Sequence, residues 1–317
     1  MQIRLDDIVK DKKTIGIGGH IRPDGDCVGS VLSVYNYIKT YYPEISVDAY
    51  LETIPNKFKF LMNSADLKEP VESDKVYDLF ICLDCSDIKR LGPSGKMFEN
   101  AKKRLCIDHH LSNESFADIN YIIPDESSTC ELVFNSMDED KITTDIATSL
   151  YLGIIHDTGV FRYDCTHFST MVAAGKLMGK GINFPKLIDE TFYQKTFNQN
   201  KVTGCALEKA KLYADGRIIA SYITMEEMAK YDVLPRHLDG IVSELRDTKD
   251  AEVAIFLYEL EKGSFKVSSR ATADINLAEV ASRHGGGGHA KAAGFEVFGE
   301  PEAAIQGIVD EITPLLI

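Results

Sequence analysis

The sequence lacks the features of a membrane or secreted protein. Its 317 residues include no run of about 18 apolar residues, and the N-terminal stretch has no signal-peptide pattern. Hydrophobic residues make up 44% of the chain and charged residues 26%, as in globular proteins. We therefore expect a cytoplasmic protein, and the length is sufficient for two ordinary domains.

The sequence also lacks a cysteine framework. Seven cysteines are scattered through apolar segments, and an odd number does not suit a disulfide-stapled fold. Cys82 and Cys85 form one C-x-x-C pair, but the second pair that a structural zinc site needs is missing. The cysteines are therefore predicted to be reduced thiols of the core.

Basic residues are scarce relative to acidic ones. The chain has 35 Lys and Arg residues against 49 Asp and Glu residues, for a net charge of −14. Proteins that grip long nucleic acids usually present a large basic surface. If this protein handles phosphates, we expect small substrates bound at a local site.

Among the features that are present, a polar loop near the N-terminus is the most informative. It follows an apolar run that reads as a buried strand, Thr14–Ile17, and precedes a predicted helix, Val28–Tyr42. The loop carries one imidazole and two carboxylates, on His20, Asp24 and Asp26. Carboxylates this close repel each other unless a cation lies between them. The cluster predicts a metal site, and the alternative is a polar turn in which Asp26 caps the helix.

Further polar clusters follow later elements. Asp84 ends the apolar strand Tyr77–Leu83, where it could instead simply terminate the strand. Asp108, His109 and His110 end the next predicted strand, and Asp157 follows a helix. Adjacent histidines in extended chain point to opposite sides, so one could bind a metal while the other faces a substrate. Ligand sites of open α/β sheets lie at the carboxyl ends of the strands, so these clusters are expected to meet.

The C-terminal part is predicted to form a second, smaller α/β unit. Its patterns are a strand at Arg217–Ile223 and a hairpin turning near Gly263. Four glycines follow in RHGGGGHAKAAGF, Arg283–Phe295, and a short helix is expected after them. Such glycines let backbone amides approach an anion, and a flexible turn is the alternative. The positive side chains that could assist are Arg270, Arg283, His284, His289 and Lys291.

With these motifs in place, the chain resembles the DHH phosphoesterase superfamily. The four motifs of that family occur in order as HIRPDGD, LDCSD, DHH and HDTG, beginning at His20, Leu83, Asp108 and His156. The glycine-rich tail resembles the DHHA1 domain, and the whole is most similar to the bacterial nano-RNases. The resemblance implies a fold in the α/β class: a DHH domain at 1–190 with a parallel sheet flanked by helices, a linker at 191–205, and a DHHA1 domain at 206–317.

The resemblance also implies the roles of particular residues. His20, Asp24 and Asp84 would hold one divalent ion, while Asp26, Asp84, His109 and Asp157 would hold another, so that Asp84 bridges. Manganese is the implied metal and suits ligand sets without thiolate. His110 would face the substrate phosphate. The DHHA1 part would bind the terminal nucleotide through Ser268, Arg270, Gly287, Gly288 and His289.

The implied activity is hydrolysis of short oligoribonucleotides, including dinucleotides, and of 3′-phosphoadenosine 5′-phosphate (PAP), in a cleft between the two domains. Alternatives within the class are a cyclic or linear dinucleotide phosphodiesterase and a RecJ-type exonuclease, which usually needs additional domains. A family II pyrophosphatase would have a different C-terminal domain. A catalytically idle nucleotide sensor would typically have lost metal ligands, and all are present here. No pattern decides whether the chain forms a homodimer.

Overall fold

The protein is described here by a computed structural model that covers residues 3–316. The chain folds into two compact units, the first ending at Gln194 and the second beginning at Lys195. The predicted class is confirmed: a parallel sheet surrounded by helices is followed by a second unit with a mixed sheet. Across residues 3–316, none of the helices combines the length and the apolar character needed to cross a bilayer.

The first unit contains a five-stranded parallel sheet in the order β2-β1-β3-β4-β5. The strands are β1 Thr14–Gly18, β2 Ser46–Tyr50, β3 Leu79–Leu83, β4 Arg104–Asp108 and β5 Ile119–Ile122. All of β3 is buried, because helices cover both faces of the sheet. Leu79, Ile81 and Leu83 join one apolar cluster, whereas Phe80 and Cys82 join the other. Because both faces of β3 are buried, nearly every residue of the run Tyr77–Leu83 is apolar.

Seven α-helices belong to the described part of the first unit. They are α1 Leu5–Val9, α2 Gly25–Tyr41, α3 Gly95–Asn100, α4 Thr129–Ser136, α5 Thr144–Asp157, α6 Phe168–Met178 and α7 Phe184–Ile188, with 3-10 turns at Asn56–Phe58, Ser64–Asp66, Ile88–Ser94 and Glu139–Lys141 and a π turn at Asp189–Tyr193. Helices α2 and α5 contribute Val28, Leu32, Leu150 and Ile154 to the larger core. This packing fixes the start of α2 and the end of α5 beside the sheet.

The second unit contains a six-stranded sheet in the order β10-β11-β9-β8-β7-β6, in which only β7 and β8 are parallel. Its strands are β6 Lys211–Tyr213, β7 Ile218–Ile223, β8 Val253–Glu261, β9 Ser264–Ala271, β10 Gly287–His289 and β11 Ala292–Phe298. Its helices are α8 Phe197–Glu208, α9 Met225–Lys230, α10 Ile241–Arg246, α11 Leu277–Arg283 and α12 Pro301–Ile312, with 3-10 turns at Ala214–Gly216, Pro235–His237 and Thr313–Leu315. The predicted hairpin is β8–β9, and it turns at Gly263, whose φ is 75°.

Two local expectations differ from the structure. Much of the expected linker at 191–205 is helical, because Thr196 and Gln199 form a capping box and the amphipathic helix α8 buries Val202. The prediction of a helix after the four glycines is wrong. Helix α11 precedes them, and the residues that follow form strands. Gly288 has a φ of 146°, and a Cβ there would lie 2.4 Å from the carbonyl oxygen of Ala292, so glycine is required for the close β10–β11 pairing.

Candidate metal centre

The carboxyl ends of β1, β3 and β4 bring the predicted polar clusters of the first unit together. His20 lies two residues beyond β1, Asp84 directly follows β3, and His109 and His110 directly follow β4. These three strands are neighbours in a parallel sheet, so their ends share one edge. The start of α2 and the end of α5 add Asp24, Asp26 and Asp157 to the same edge. All six predicted ligands therefore form one cluster, and their role as ligands stays a prediction.

His20 faces two carboxylates on one side of the cluster. Its Nε2 atom lies 3.4 Å from Oδ2 of Asp84 and 3.7 Å from Oδ1 of Asp24. Its Nδ1 atom lies 2.8 Å from the carbonyl oxygen of Ile21, to which it can only donate. Nδ1 therefore carries a proton, and Nε2 is the ring atom that faces the carboxylates and could bind a metal.

His109 faces three carboxylates on the other side. Its Nε2 atom lies 3.1 Å from Oδ2 of Asp157, 3.8 Å from Oδ1 of Asp84 and 4.0 Å from Oδ2 of Asp26. Its Nδ1 atom lies 3.3 Å from the carbonyl oxygen of Glu126, so Nε2 is again the ring atom that could bind a metal. The two oxygens of Asp84 thus face different histidines, an arrangement that is compatible with a carboxylate shared by two cations.

The two carboxylates of the first loop have different supports. Asp24 caps α2, and its Oδ1 atom accepts the backbone N–H groups of Asp26 and Cys27 at 3.1 Å each. Asp26 is fully buried in the first turn and accepts the backbone N–H groups of Thr129 at 2.7 Å and Cys130 at 2.9 Å. The alternative in which Asp26 caps the helix is therefore wrong, because Asp24 is the cap. Asp26 is anchored instead by the start of α4.

Asp84 adopts a conformation that few side chains tolerate. Its φ is 57°, and such left-handed backbone costs a non-glycine residue about 1–3 kcal/mol. Thr129 donates its hydroxyl to Oδ1 of Asp84 at 3.1 Å. The strained turn aims the carboxylate of this nearly fully buried residue at both histidines, which a simple strand terminator would not need.

His110 is oriented by neighbours that the sequence prediction missed. Its Nδ1 atom lies 2.7 Å from Oδ1 of the fully buried Asp108. Asn113 donates to the other oxygen of Asp108, also at 2.7 Å. Asp108 is the first residue of the DHH motif, and this motif could have indicated that Asp108 orients His110. The supports from Thr129 and Glu126 have no comparable signal, because each depends on a contact between separate elements, whereas Asn113 lies only five residues after Asp108.

The electrostatics of the cluster favour a cation. Burial and the charges of Asp84 and Asp157 raise the pKa of Asp26 well above its ordinary value. Burial likewise raises the pKa of Asp157 to about 6. Although burial opposes it, the surrounding carboxylates raise the pKa of His109 to about 11. Without a metal, bound protons must neutralise part of the negative charge of these carboxylates. Imidazole and carboxylate donors therefore fit divalent cations.

Two further residues near the cluster, His156 and Cys27, are not among the predicted ligands. His156 is part of the HDTG motif, but its ring packs against Phe58 and Phe192, and burial lowers its pKa to about 3. It therefore remains neutral as a packing residue. Cys27 is a core residue, as predicted for the cysteines, but its thiol also lies close to His20 and Asp84.

We expect the metal-free protein to lose stability as the pH rises from about 4 to about 6. The pKa of Asp157 is about 6 in the folded state against 3.8 as the ordinary value, and that of Asp26 is also raised. In this window Asp157, Asp26 and Glu126, whose pKa is raised to about 7, bind more protons in the folded state. Together they outweigh the opposite contribution of His156, so raising the pH favours unfolding. Carboxyls with a lowered pKa, such as Asp118 beside Arg104 at about 2, act below the window. Urea unfolding in chelator at several pH values measures the slope.

Asp157→Asn should flatten that slope, because it removes one of the carboxyls whose pKa is raised. A metal-free protein that gains stability between pH 4 and 6 would contradict the assignment of the raised pKa values. Asp118→Asn is the matched control and should leave the slope in this window unchanged.

The predicted substrate residues of the second unit lie in neighbouring strands. β11 lies between β9 and β10, so that Gly294 pairs with both Ser268 and Gly287, while Ala292 pairs with both Arg270 and His289. Ser268 and Arg270 alternate with buried residues and therefore share the less buried face of β9. Gly288 pairs with Ala293, and the side chain of His289 lies outside what the structure describes. The predicted set thus forms one patch of strand backbone.

The other positive side chains suggested for this patch are engaged elsewhere. His284 stacks on Phe295 and bonds to Glu311 at 2.9 Å, and Arg283 lies 4.0 Å from the same carboxylate. Lys291 contacts Asp274 at 3.4 Å. Arg270, in contrast, lies in strand β9 within the predicted patch, and its guanidinium group donates to the carbonyl oxygen of Ser269 at 2.9 Å.

Comparison with known proteins agrees with this division. The family described as "DHH family, N-terminal domain" matches residues 14–154, and the "DHHA1 domain" matches residues 215–315. The bifunctional oligoribonuclease and PAP phosphatase NrnA of Thermus thermophilus is 27% identical over 94% of this chain and 90% of that protein. The Bacillus subtilis protein of the same name is 23% identical over 92% of this chain and 91% of its own. The crystal structure of an exopolyphosphatase-related protein from Bacteroides fragilis has a TM-score of 0.89 and 26% identity, covering 97% of this chain and 94% of that one.

Proposed function

The chain belongs to the DHH family through its first unit and carries a DHHA1 domain in its second, and on this basis we propose that it is a metal-dependent phosphodiesterase acting on short oligoribonucleotides. The products would be mononucleotides, and PAP would be a second substrate. The main support is the placement of Asp84 between two imidazole-carboxylate groups, with one oxygen facing each histidine. The names of the relatives from T. thermophilus and B. subtilis describe the same pair of activities.

The proposed reaction is hydrolysis of a phosphoester bond at a two-metal centre. Two divalent ions, when bound, would supply positive charge for the attacked phosphate and lower the pKa of an attacking water. His20, Asp24 and Asp84 would hold one ion, while Asp26, Asp84, His109 and Asp157 would hold the other. Manganese suits the nitrogen and oxygen donors of these residues. The protein itself contributes fixed positions, because backbone N–H groups hold Asp24 and Asp26 and backbone carbonyls orient both histidines.

We assign His110 to the substrate phosphate. Its Nδ1 atom is held by Asp108, so Nε2 is the ring atom we assign to a phosphate oxygen. Burial alone would lower the pKa of His110, but Asp108 and Asp84 raise it, which favours the protonated ring beside an anion. The role is binding and charge stabilisation in the transition state.

His110→Gln should lower kcat/KM by about 10²-fold or more, because a positioned charged donor is lost. Metal binding should survive, so the thermal stabilisation by manganese should stay that of the native protein. His237→Gln, at a histidine of the second unit that bonds only locally to Leu234 in the described structure, is the control and should retain activity. Loss of the manganese stabilisation in His110→Gln would instead make His110 a ligand.

The second unit is proposed to bind the end of the substrate remote from the reacting phosphate. The patch of Arg270, Ser268 and the glycine strand β10 offers one cation and closely approachable backbone. Binding energy at a remote group positions the reacting phosphate. The net charge of −14 supports small substrates, because long nucleic acids would meet an acidic surface.

Arg270→Ala should raise KM about tenfold or more, because a charge-assisted hydrogen bond to the substrate is lost. The value of kcat should change little if the arginine acts only in binding. Arg236, an exposed arginine of the same unit, provides the control Arg236→Ala, which should leave KM unchanged. Steady-state kinetics with a dinucleotide measures both constants. An unchanged KM in Arg270→Ala would remove this residue from the substrate site.

Substrate class is tested by hydrolysis in manganese of 5′-labelled RNAs from dinucleotides to long chains, beside cyclic dinucleotides and PAP. Turnover confined to short RNAs and PAP is the expected result. Equal degradation of long RNA or DNA would favour a RecJ-type exonuclease and overturn the inference from charge. Turnover of cyclic or linear dinucleotides alone would favour a dinucleotide phosphodiesterase, and no turnover of any substrate would favour a nucleotide sensor.

A further inference from the structure

A thiol lies inside one half of the proposed metal centre. Cys27 is fully buried in the first turn of α2, next to the carboxylate ligands Asp24 and Asp26. Its Sγ atom, a ring nitrogen of His20 and a carboxylate oxygen of Asp84 all lie within 4.8 Å of one another. Three donor atoms of different residues at such distances can share one ion, and all three residues are buried.

The surrounding structure fixes the thiol at this place. A Cβ at Gly19 would lie 2.3 Å from Sγ of Cys27, so glycine at position 19 leaves the space that the sulfur occupies. The backbone N–H of Cys27 bonds to Asp24, which caps the helix and itself lies 3.7 Å from His20. The sulfur therefore sits beside His20 through the same turn that presents Asp24.

The other half of the centre has no thiol among its described donors. The group around His109 consists of Asp26, Asp157 and, through its second oxygen, Asp84. Cys130 is buried beside Asp26, but its Sγ atom lies 3.6 Å from the backbone carbonyl oxygen of Asp26 and does not join this group of donor atoms. Cys82, another fully buried thiol of the same unit, lies in the cluster on the opposite face of the sheet. The two halves of the centre therefore differ in ligand softness.

We infer that Cys27 is a ligand on the His20 side and that this side selects a soft divalent ion of the zinc type, while the His109 side takes a hard ion such as manganese. The inference rests on the proposed metal centre and refines it. His20, Cys27, Asp24 and Asp84 would give four donors, the number that zinc commonly takes in proteins. Thiolate ligands select zinc over manganese, because soft donors prefer soft ions. Binding through sulfur replaces the S–H bond by a metal–sulfur bond and releases one proton to solvent.

Cobalt(II) tests the sulfur ligand directly, because a thiolate bound to cobalt gives an intense near-ultraviolet charge-transfer band. The full-length metal-free protein is titrated with cobalt, and the spectrum is recorded for native protein, Cys27→Ala, Cys27→Ser and Cys82→Ala. The band should appear in native protein and Cys82→Ala and be lost in both Cys27 variants, while the weaker visible bands of bound cobalt remain. Two Cys27 variants are included in case one fails to fold.

Zinc and manganese affinities provide a second readout that is independent of turnover. Competition titrations should show that Cys27→Ala lowers zinc affinity by about tenfold or more and leaves manganese affinity nearly unchanged. Zinc binding to native protein in weak buffer should release one more proton than zinc binding to Cys27→Ala.

The outcomes separate this inference from the proposed function. Visible cobalt bands without the charge-transfer band in native protein would overturn the role of Cys27 and leave the metal centre intact. A charge-transfer band that persists in Cys27→Ala would also overturn it, by assigning the sulfur elsewhere. Failure of the native protein to bind cobalt or manganese at all would overturn both.

Discussion

Asp84→Asn is expected to reduce kcat by about 10³-fold or more with every substrate. The two oxygens of Asp84 face His20 and His109, so this side chain joins both halves of the proposed centre. Losing the bridge removes several kcal/mol of charge stabilisation, which corresponds to about three powers of ten in rate. Asparagine keeps the shape of aspartate and tolerates the left-handed backbone of position 84, where φ is 57°. Steady-state hydrolysis of a labelled dinucleotide in manganese measures the loss.

Stability separates a functional role for Asp84 from a structural one. In metal-free protein the charge of Asp84 contributes to raising the pKa of Asp26, which is a sign of repulsion in the folded state. The variant loses this repulsion together with the attraction of Asp84 to His20 and His109, so metal-free Asp84→Asn should unfold near the temperature of native protein while its activity collapses. The control Asp118→Asn removes a carboxylate that pairs with Arg104 away from the cluster, and should keep its activity. An Asp84→Asn variant that retains activity would overturn the bridging role.

Saturating manganese is expected to raise the melting temperature of the first unit by about 8–16 °C over the chelated protein. A ligand at about a thousand times its Kd stabilises the folded state by about 4 kcal/mol. In a unit of this size each kcal/mol shifts the melting temperature by about 2–4 °C. Calorimetry with and without chelator measures the shift, and the same chelation should abolish hydrolysis until divalent metal is restored.

The second unit provides the internal control for this effect. All predicted ligands lie before Gln194, so a transition assigned to the unit that begins at Lys195 should not move with manganese. The double variant Asp26→Asn with Asp157→Asn should lose most of the shift, because the His109 side would keep only one carboxylate. An equal shift in both transitions would indicate nonspecific ion binding.

Much of the fold could be predicted from local sequence. The run Tyr77–Leu83 is apolar because β3 is covered on both faces, and this pattern is readable without the structure. Helix α5, Thr144–Asp157, buries the apolar stripe Ile146, Leu150 and Ile154, and this spacing is also readable without the structure. Strand β5 was missed, since only Tyr121 of its four residues is buried and an edge strand carries a weak pattern.

Errors occurred where neighbouring strands or helices override local signals. Four glycines in a row suggested an anion loop before a helix, whereas pairing with β11 draws Gly287–His289 into a strand. The linker expected at 191–205 contains the boundary between the two units, while the first turns of α8 occupy its second half. Pairing partners and buried faces of this kind come from distant parts of the chain, so a local window cannot contain them.

The sequence by itself determined which residues could serve as ligands and that they would gather at one edge of a parallel sheet. Short motifs at strand ends carry that information, because strand direction fixes where the ends meet. The tertiary structure alone decided how each predicted ligand is held. Asp26 is anchored by the backbone of α4 a hundred residues away in sequence, Asp108 orients His110, and Gly19 gives Cys27 its place beside His20. These supports depend on distances between packed elements, which no spacing along the chain encodes.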